Sequence, residues 1–100
     1  MVLITKIECV KKENDGITGI FGTICSDVSG KDPKQGLVLA SKIDIAIYRH
    51  PQHGDLPIKF IKAGRGSGEK LVEPKTNCFF LVDPDNPSHN LLDDFDECSS

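Results

Sequence analysis

Tryptophan is absent from this 100-residue chain, and tyrosine and methionine occur once each. No stretch approaches the run of about 18 apolar residues that a membrane-spanning helix needs, so we expect no membrane span. Residues 1–6 lack a charged start before a long apolar stretch, which argues against a secretory signal and favours a cytoplasmic location. With so few aromatic residues, an enclosed ligand cavity on the order of several hundred Å³ is hard to build. A small-molecule ligand is therefore not expected.

Basic residues are missing from the C-terminal quarter. All 12 Lys and Arg lie in residues 1–75, where nine acids leave a net charge of +3. Residues 76–100 hold six acids and no base, a net charge of −6. A body this weakly basic lacks the strong single-sign surface of nucleic-acid binders, so no nucleic-acid partner is expected. The acidic end can fold back on its own body, bind a cation or dock on a basic partner.

Motifs for catalysis are also missing. His50, His53 and His89 fall in expected loops, and no Gly-x-Ser-x-Gly elbow is present. Residues 64–68 read Gly-Arg-Gly-Ser-Gly, but Leu71 stands where a phosphate-binding loop needs Ser or Thr. No Cys-x-x-Cys occurs for a zinc ribbon or a dithiol redox site. The sequence therefore indicates a protein that is not an enzyme.

Alternating apolar residues and turn signals predict an all-β protein. A hairpin opens the chain, with Asp15-Gly16 as its two-residue turn, because Asp-Gly readily adopts the positive φ that this turn requires. Residues 37–48 alternate strictly over more than the usual strand length of about 5–6 residues. We therefore expect a bend near Ala40-Ser41.

Later segments continue the β pattern. Residues 56–63 alternate apolar side chains, but Pro57 has no N–H, which places this strand at a sheet edge. Residues 77–82 are the most apolar window and predict a central strand. Beyond them, Ser88 is expected to cap one short helical turn that gathers Leu91, Leu92 and Phe95.

These elements predict a small antiparallel β-sandwich of six to seven strands in a single domain. The sandwich core spans residues 1–82 and starts with the β-hairpin. Residues 83–100 form an acidic C-terminal segment, packed on or extending from the same domain and carrying at most a short helical turn.

The four cysteines allow several pairings. In the predicted hairpin register Cys25 lies about 10 Å along the ribbon from Cys9, beyond the roughly 7 Å that a disulfide tolerates, so that pair is excluded. A Cys25–Cys78 bridge and a Cys98 staple on the tail stay open. The missing secretory signal favours free, buried thiols instead.

The favoured function is a non-enzymatic binding or assembly module that acts through surface contacts. Its partner is expected to be another protein or a second copy of the chain, met at the edge strand 56–63 and at two charged regions. Head-to-tail self-association between the charged regions should weaken with salt. The predicted contact residues are Arg49, Lys59, Lys62 and Arg65 on the basic side, and Asp93, Asp94, Asp96 and Glu97 on the acidic side.

The alternative is a calcium-dependent β-sandwich that binds a carbohydrate or a lipid headgroup. Asp83, Asp85 and Asn86 supply the oxygen ligands that Ca²⁺ prefers, although their spacing departs from the twelve-residue calcium loop. His50 and His53 are three residues apart and would bind a metal only if the fold brings further ligands to them. No cofactor other than calcium is expected.

Overall fold

Seven strands and one short 3₁₀ turn make up the structure, a computed structural model that describes residues 1–13, 16–62 and 77–99. Within this part of the chain, no helix has the length and apolar character to cross a membrane. The strands are β1 (Val2–Glu13), β2 (Gly16–Cys25), β3 (Lys34–Leu39), β4 (Ala46–His50), β5 (Gly54–Lys62), β6 (Asn77–Asp83) and β7 (Asn86–Asn90), and the 3₁₀ turn spans Leu91–Asp94.

Five of these strands close into a barrel. β1 pairs antiparallel with β2 and parallel with β4, β5 joins β4 to β6, and β6 returns to β2 through the pair Ile17–Phe79. β3 and β7 lie outside the barrel, on β2 and β6 respectively. The all-β prediction is confirmed, but the sheet closes as a barrel with two added strands rather than as a clear sandwich. The closure is made by β6, which pairs with β5 on one side and reaches β2 through Ile17–Phe79 on the other.

The opening hairpin is present, but its register differs from the prediction. Glu13 pairs with Gly16, whereas a turn at residues 15 and 16 would have paired residue 14 with Ile17. Irregularities along the ladder shift the pairing further, so that Cys25 lies opposite Leu3. Cys25 is therefore even farther along the ribbon from the middle of β1 than the sequence indicated.

The long alternating strand predicted over residues 37–48 is two strands. β3 ends at Leu39 and β4 begins at Ala46. Between them the chain turns, and the Lys42 N–H donates to the Leu39 carbonyl at 3.0 Å. The bend expected near Ala40-Ser41 is thus a complete break. It lets the chain leave the outside of β2 and cross to the other side of β1.

β5 lies between β4 and β6, so the predicted edge strand over residues 56–63 is wrong. The two neighbouring strands pair with different parts of β5: β4 pairs with residues 54–58 and β6 with residues 58–62. Pro57 lies in the half that pairs with β4 alone, so its missing N–H removes no bond to β6.

The barrel interior is filled by apolar side chains from every barrel strand. β6 is central, as predicted, and the rings of Phe79 and Phe60 meet edge to face with centroids 5.2 Å apart. Packing of this kind is the main favourable contribution to folding. The largest fully buried side chains are Phe79, Leu3, Ile4, Ile20, Leu81, Leu92, Val10 and Cys78.

The predicted helical turn is present, but Asn90 caps it instead of Ser88. The Asn90 Oδ1 accepts from the Leu92 N–H at 3.1 Å and from the Leu81 N–H at 3.0 Å, while its Nδ2 donates to the Phe79 carbonyl at 3.3 Å. One amide therefore ties the turn to β6, since Asn can donate and accept at once and Ser has a single oxygen. The residues that the turn packs on the core are Leu91, Leu92 and Phe95, as predicted.

Replacing Gly22 with alanine should destabilise the protein by about 3 kcal/mol, the upper part of the usual overpacking range. A Cβ at this position would overlap the Lys6 carbonyl oxygen and lie 3.0 Å from the Ile7 Cα, and neither backbone atom can move alone. Its register partner Gly36 is the matched control, because a Cβ there meets only the flexible end of Ile24 at 3.3 Å. Urea unfolding measures both changes, and equal midpoints for Gly22→Ala and Gly36→Ala would contradict the prediction.

Candidate interaction surface

The acidic C-terminal segment folds back along β1. The Val10 N–H donates to the Asp96 carbonyl at 2.9 Å, and the Cys98 N–H donates to the Val10 carbonyl at 2.7 Å. Glu97 thereby forms a parallel bridge with Val10, and Cys9 is disulfide-bonded to Cys98 with a Cα–Cα distance of 4.9 Å. Because both main-chain groups of Val10 point to this segment, it covers the edge of β1 that faces away from β2. Asp96 is thus bound through its carbonyl, while the side chains of Asp96 and Glu97 stay exposed.

The other two predicted acidic contact residues face side chains of the same molecule. The Asp93 Oδ1 lies 4.0 Å from the Lys12 Nζ at the end of β1. Both carboxylate oxygens of Asp94 lie 3.1 Å from the His89 Nε2. The contacts with Lys12 and Val10 dock the acidic end on its own body, whereas the Asp94–His89 pair lies within the acidic segment itself.

Arg49, predicted as a basic contact residue, is held by its own molecule. Its Nε and Nη2 donate to the two Asp55 carboxylate oxygens at 2.7 and 3.1 Å, and Nη2 also donates to the Val28 carbonyl at 3.1 Å. The hydrogen bond from Arg49 keeps the pKa of Asp55 below its ordinary value. Three of the five N–H groups of the guanidinium are therefore already used within the molecule.

The structure describes the side chain of one of the three remaining predicted basic residues. Lys59 is exposed on β5. The side chain of Lys62 and the whole of Arg65 lie outside the described residues, as does the glycine-rich stretch at 64–68.

The predicted calcium ligands stand at the connection between β6 and β7. The Asp83 Oδ1 accepts from the Asp85 N–H at 2.8 Å, and the Asn86 Oδ1 accepts from the Ser88 hydroxyl at 3.1 Å. The Asp85 Oδ2 lies 3.9 Å from the His53 Nε2. Across residues 1–13, 16–62 and 77–99, no three or more His, Cys, Asp or Glu side chains are grouped to hold a metal ion. Calcium binding stays a prediction that a calcium titration can test.

His50 orders its own loop. Its Nδ1 accepts from the Gln52 N–H at 3.0 Å and from the His53 N–H at 3.2 Å, which leaves the ring proton on Nε2. The two histidine rings are tilted, with centroids 4.7 Å apart. The lone pair that a metal would need on the His50 Nδ1 is therefore already used by the backbone.

Two of the four cysteines are free thiols, and the other two form a disulfide. Cys25 and Cys78 are free and buried, as predicted, whereas the prediction of free thiols is wrong for Cys9 and Cys98. Burial, with a smaller contribution from the charge of Glu13, raises the pKa of the Cys78 thiol. A raised pKa lowers the fraction of reactive thiolate at neutral pH. The bridge that forms is the tail staple that the sequence left open.

An apolar patch that the sequence did not predict lies on the outer face of β1, β2 and β3. The ladder places Cys9, Phe21 and Leu37 side by side across the three strands. Leu39 lies one row farther along β3 on the same face, because side chains two apart on a strand share a face. We call Phe21, Leu37 and Leu39 the outer patch.

Gly19 shapes this patch from the middle strand. It stands between Lys11 and Leu39 in the ladder. A Cβ at Gly19 would lie 3.2 Å from the Leu39 Cδ2 and 3.3 Å from the Leu37 Cδ1. The missing side chain therefore lets both leucines lie over β2.

At the outer patch, alternate residues of β3 direct their main-chain N–H and C=O groups away from the barrel. The Ala40 N–H donates to the Thr18 carbonyl at 2.9 Å, which makes this a hydrogen-bonded pair. Because such pairs alternate along an antiparallel ladder, Gln35, Leu37 and Leu39 direct their N–H and C=O groups away from β2. Among the described strands, β2 alone pairs with β3. Leu37 is also 47% exposed, so apolar and main-chain groups are presented together.

Two of the clefts on the surface of the described residues lie beside Lys12. The larger, of about 760 Å³, separates the outer patch from the C-terminal segment and is lined by Cys9, Lys11, Lys12, Phe21, Leu37, Glu97, Cys98 and Ser99. The smaller, of about 460 Å³, lies at the other side of Lys12 and includes Ile17, Ile61, Phe79 and His89. Both are open clefts rather than enclosed cavities, with walls formed by strand ends and, at the larger one, by the folded-back segment.

Comparison with known protein families, curated proteins and solved structures finds no match to this chain.

Asp94→Asn should lower the pKa of His89, followed by NMR titration of the ring protons. The hydrogen bond to Asp94 is the largest cause that raises this pKa above its ordinary 6.5. Because the folded-state pKa is raised, the pair stabilises the fold fully below about pH 6.5 and loses that contribution as the pH rises through the raised value. Asp93→Asn is the control, since its charge acts on the same ring more weakly and should change the pKa less. An unchanged His89 titration in Asp94→Asn would rule the pairing out.

Proposed function

We propose that this protein is a non-enzymatic assembly module in which two copies pair through their β3 strands. The observation that supports this is the outward main chain of Gln35, Leu37 and Leu39 beside the exposed Leu37 side chain. Strand addition uses this combination, because main-chain groups give affinity and alternate side chains give specificity.

The β3 strands of two copies can pair with each other in the antiparallel direction. Antiparallel pairing centred on Leu37 places Gln35 opposite Leu39 of the second copy. The strand's one charged residue, Lys34, then lies opposite Ala40 of the second copy, so no like charges meet. A contact of this kind is two-fold symmetric and closes at two copies.

The association is expected to be weak. Pairing over these residues forms about six main-chain hydrogen bonds, each of which contributes on the order of 1 kcal/mol net. Loss of translational and rotational freedom offsets much of that sum. A small interface of this type belongs among transient ones.

Charge plays a smaller part in this proposal than the sequence indicated. Arg49 is bonded to Asp55, and Asp94 lies against His89, so these predicted contact residues already have partners within one molecule. Main-chain pairing involves no net charge. Raising the salt concentration from about 0.05 to 0.5 M should therefore leave the association nearly unchanged, unlike a head-to-tail contact between charged regions.

Leu37→Lys should abolish the association, measured by sedimentation equilibrium from about 10 µM to 1 mM. Two lysines would meet at the centre of the pair, where like charges directly opposite each other destabilise a sheet. Ile61→Lys is the matched control, because Ile61 is 46% exposed on β5 and lies away from β3.

Thermal unfolding of both variants checks that each still folds, since exposed substitutions usually change stability by less than about 0.5 kcal/mol. A wild-type chain that stays monomeric over the whole range would refute the proposal. So would equal association of Leu37→Lys and the wild type.

A further inference from the structure

We propose that residues 96–99 are a strap over the edge of β1 that reduction of the Cys9–Cys98 disulfide releases. Release would bare the N–H and C=O of Val10, which the strap covers in the oxidised protein. The strap would then make a second pairing edge of the sheet conditional on the redox state of one disulfide. The release itself does not depend on the association proposed for β3.

The strap has a clear beginning. Upstream of it, Leu92 is fully buried, and the Phe95 ring packs against Tyr48 with centroids 6.3 Å apart. Downstream of Phe95 the side chains of Asp96 and Glu97 are exposed. Burial therefore holds the chain up to Phe95 and contributes little beyond it.

Few interactions hold the strap besides the disulfide. Two main-chain hydrogen bonds attach it to Val10, at 2.9 and 2.7 Å. Two such bonds do not offset the conformational entropy lost when four residues are fixed. The covalent link to Cys9 is thus what keeps the strap in place, because it confines the segment to the neighbourhood of β1.

The disulfide is accessible to a thiol reagent. Cys9 and Cys98 both line the 760 Å³ groove beside the outer patch, and both residues are partly exposed. Cys25 and Cys78 are buried, so exchange with them is disfavoured. Thiol chemistry in the native protein is therefore concentrated at this one bond.

Release follows ordinary thiol–disulfide exchange with a small or protein-borne dithiol. A thiolate of the dithiol attacks one sulfur, forms a mixed disulfide with it, and expels the other cysteine as a thiolate that takes up a proton. The second thiol of the dithiol then attacks the mixed disulfide and frees the remaining cysteine. The dithiol is oxidised to its cyclic disulfide, and the protein gains two electrons and two protons as two thiols.

Amide hydrogen exchange with and without dithiothreitol tests the release in the intact chain. Reduction should accelerate exchange at the Val10 and Cys98 amides by at least about tenfold, because both lose their acceptors. The amide of Ile20, which is fully buried in β2, should keep its protection. Unchanged exchange at Val10 and Cys98 would overturn the proposal, and so would loss of protection at Ile20, since opening would then involve the whole fold.

Cys98→Ser is the matched variant, because it removes the disulfide without any reductant. It should exchange at Val10 like the reduced wild type and show no further change with dithiothreitol. Alkylation under native conditions provides a second readout, in which reduction should add label at Cys9 and Cys98 and none at Cys25 or Cys78. No new label after reduction, or protection at Val10 in Cys98→Ser equal to that in the oxidised wild type, would refute the proposal.

Discussion

Backbone pairing along β1 is the constraint on which the rest of the structure depends. This strand meets β2 along its length, β4 at its first residues and the C-terminal segment at Val10. An open sheet leaves main-chain groups exposed at both edges, and pairing β1 with β4 joins two regions that the sequence order keeps apart. Once β1 is placed, the break after Leu39 is required, because the chain must cross from the outside of β2 to the far side of β1. The C-terminal segment lies along the edge of β1 that β4 leaves uncovered, where the Cys9–Cys98 disulfide joins it to the strand.

The local parts of this fold could be predicted from the sequence, and the pairings between distant segments could not. Alternation depends on neighbouring residues, so most strands and the apolar window around Phe79 were predicted correctly. Closure of the barrel depends on contacts such as Ile17–Phe79, which no local pattern encodes. Pro57 illustrates the difference. A proline has no N–H to donate, which predicts a strand at a sheet edge. Pro57 is tolerated inside the sheet because its part of β5 pairs with β4 only and not with β6. Asn90 replaced Ser88 as the cap for a similar reason, because its amide also binds β6.

The candidate surface could not be predicted from the sequence, and the reason is physical. A sequence shows which side chains are charged, but it does not show which of them are available to a partner. Arg49, for example, is bonded to Asp55 of the same molecule. Main-chain groups carry no sequence signature at all, since every residue of β3 has them and the ladder decides which ones point outward. The outer patch likewise depends on register, because Phe21 and Leu37 become neighbours only when β2 and β3 pair.

The disulfide between positions 9 and 98 has a consequence for the denatured chain. It encloses 89 positions of sequence separation, so nearly all of the molecule becomes one covalent ring. A ring of this size loses unfolded-state entropy equivalent to about 4–5 kcal/mol in the chain-entropy treatment, a sizeable share of the stability of a small domain. A protease cut anywhere inside that ring would also leave both fragments joined, so the pieces would stay together until the sulfur bridge is opened.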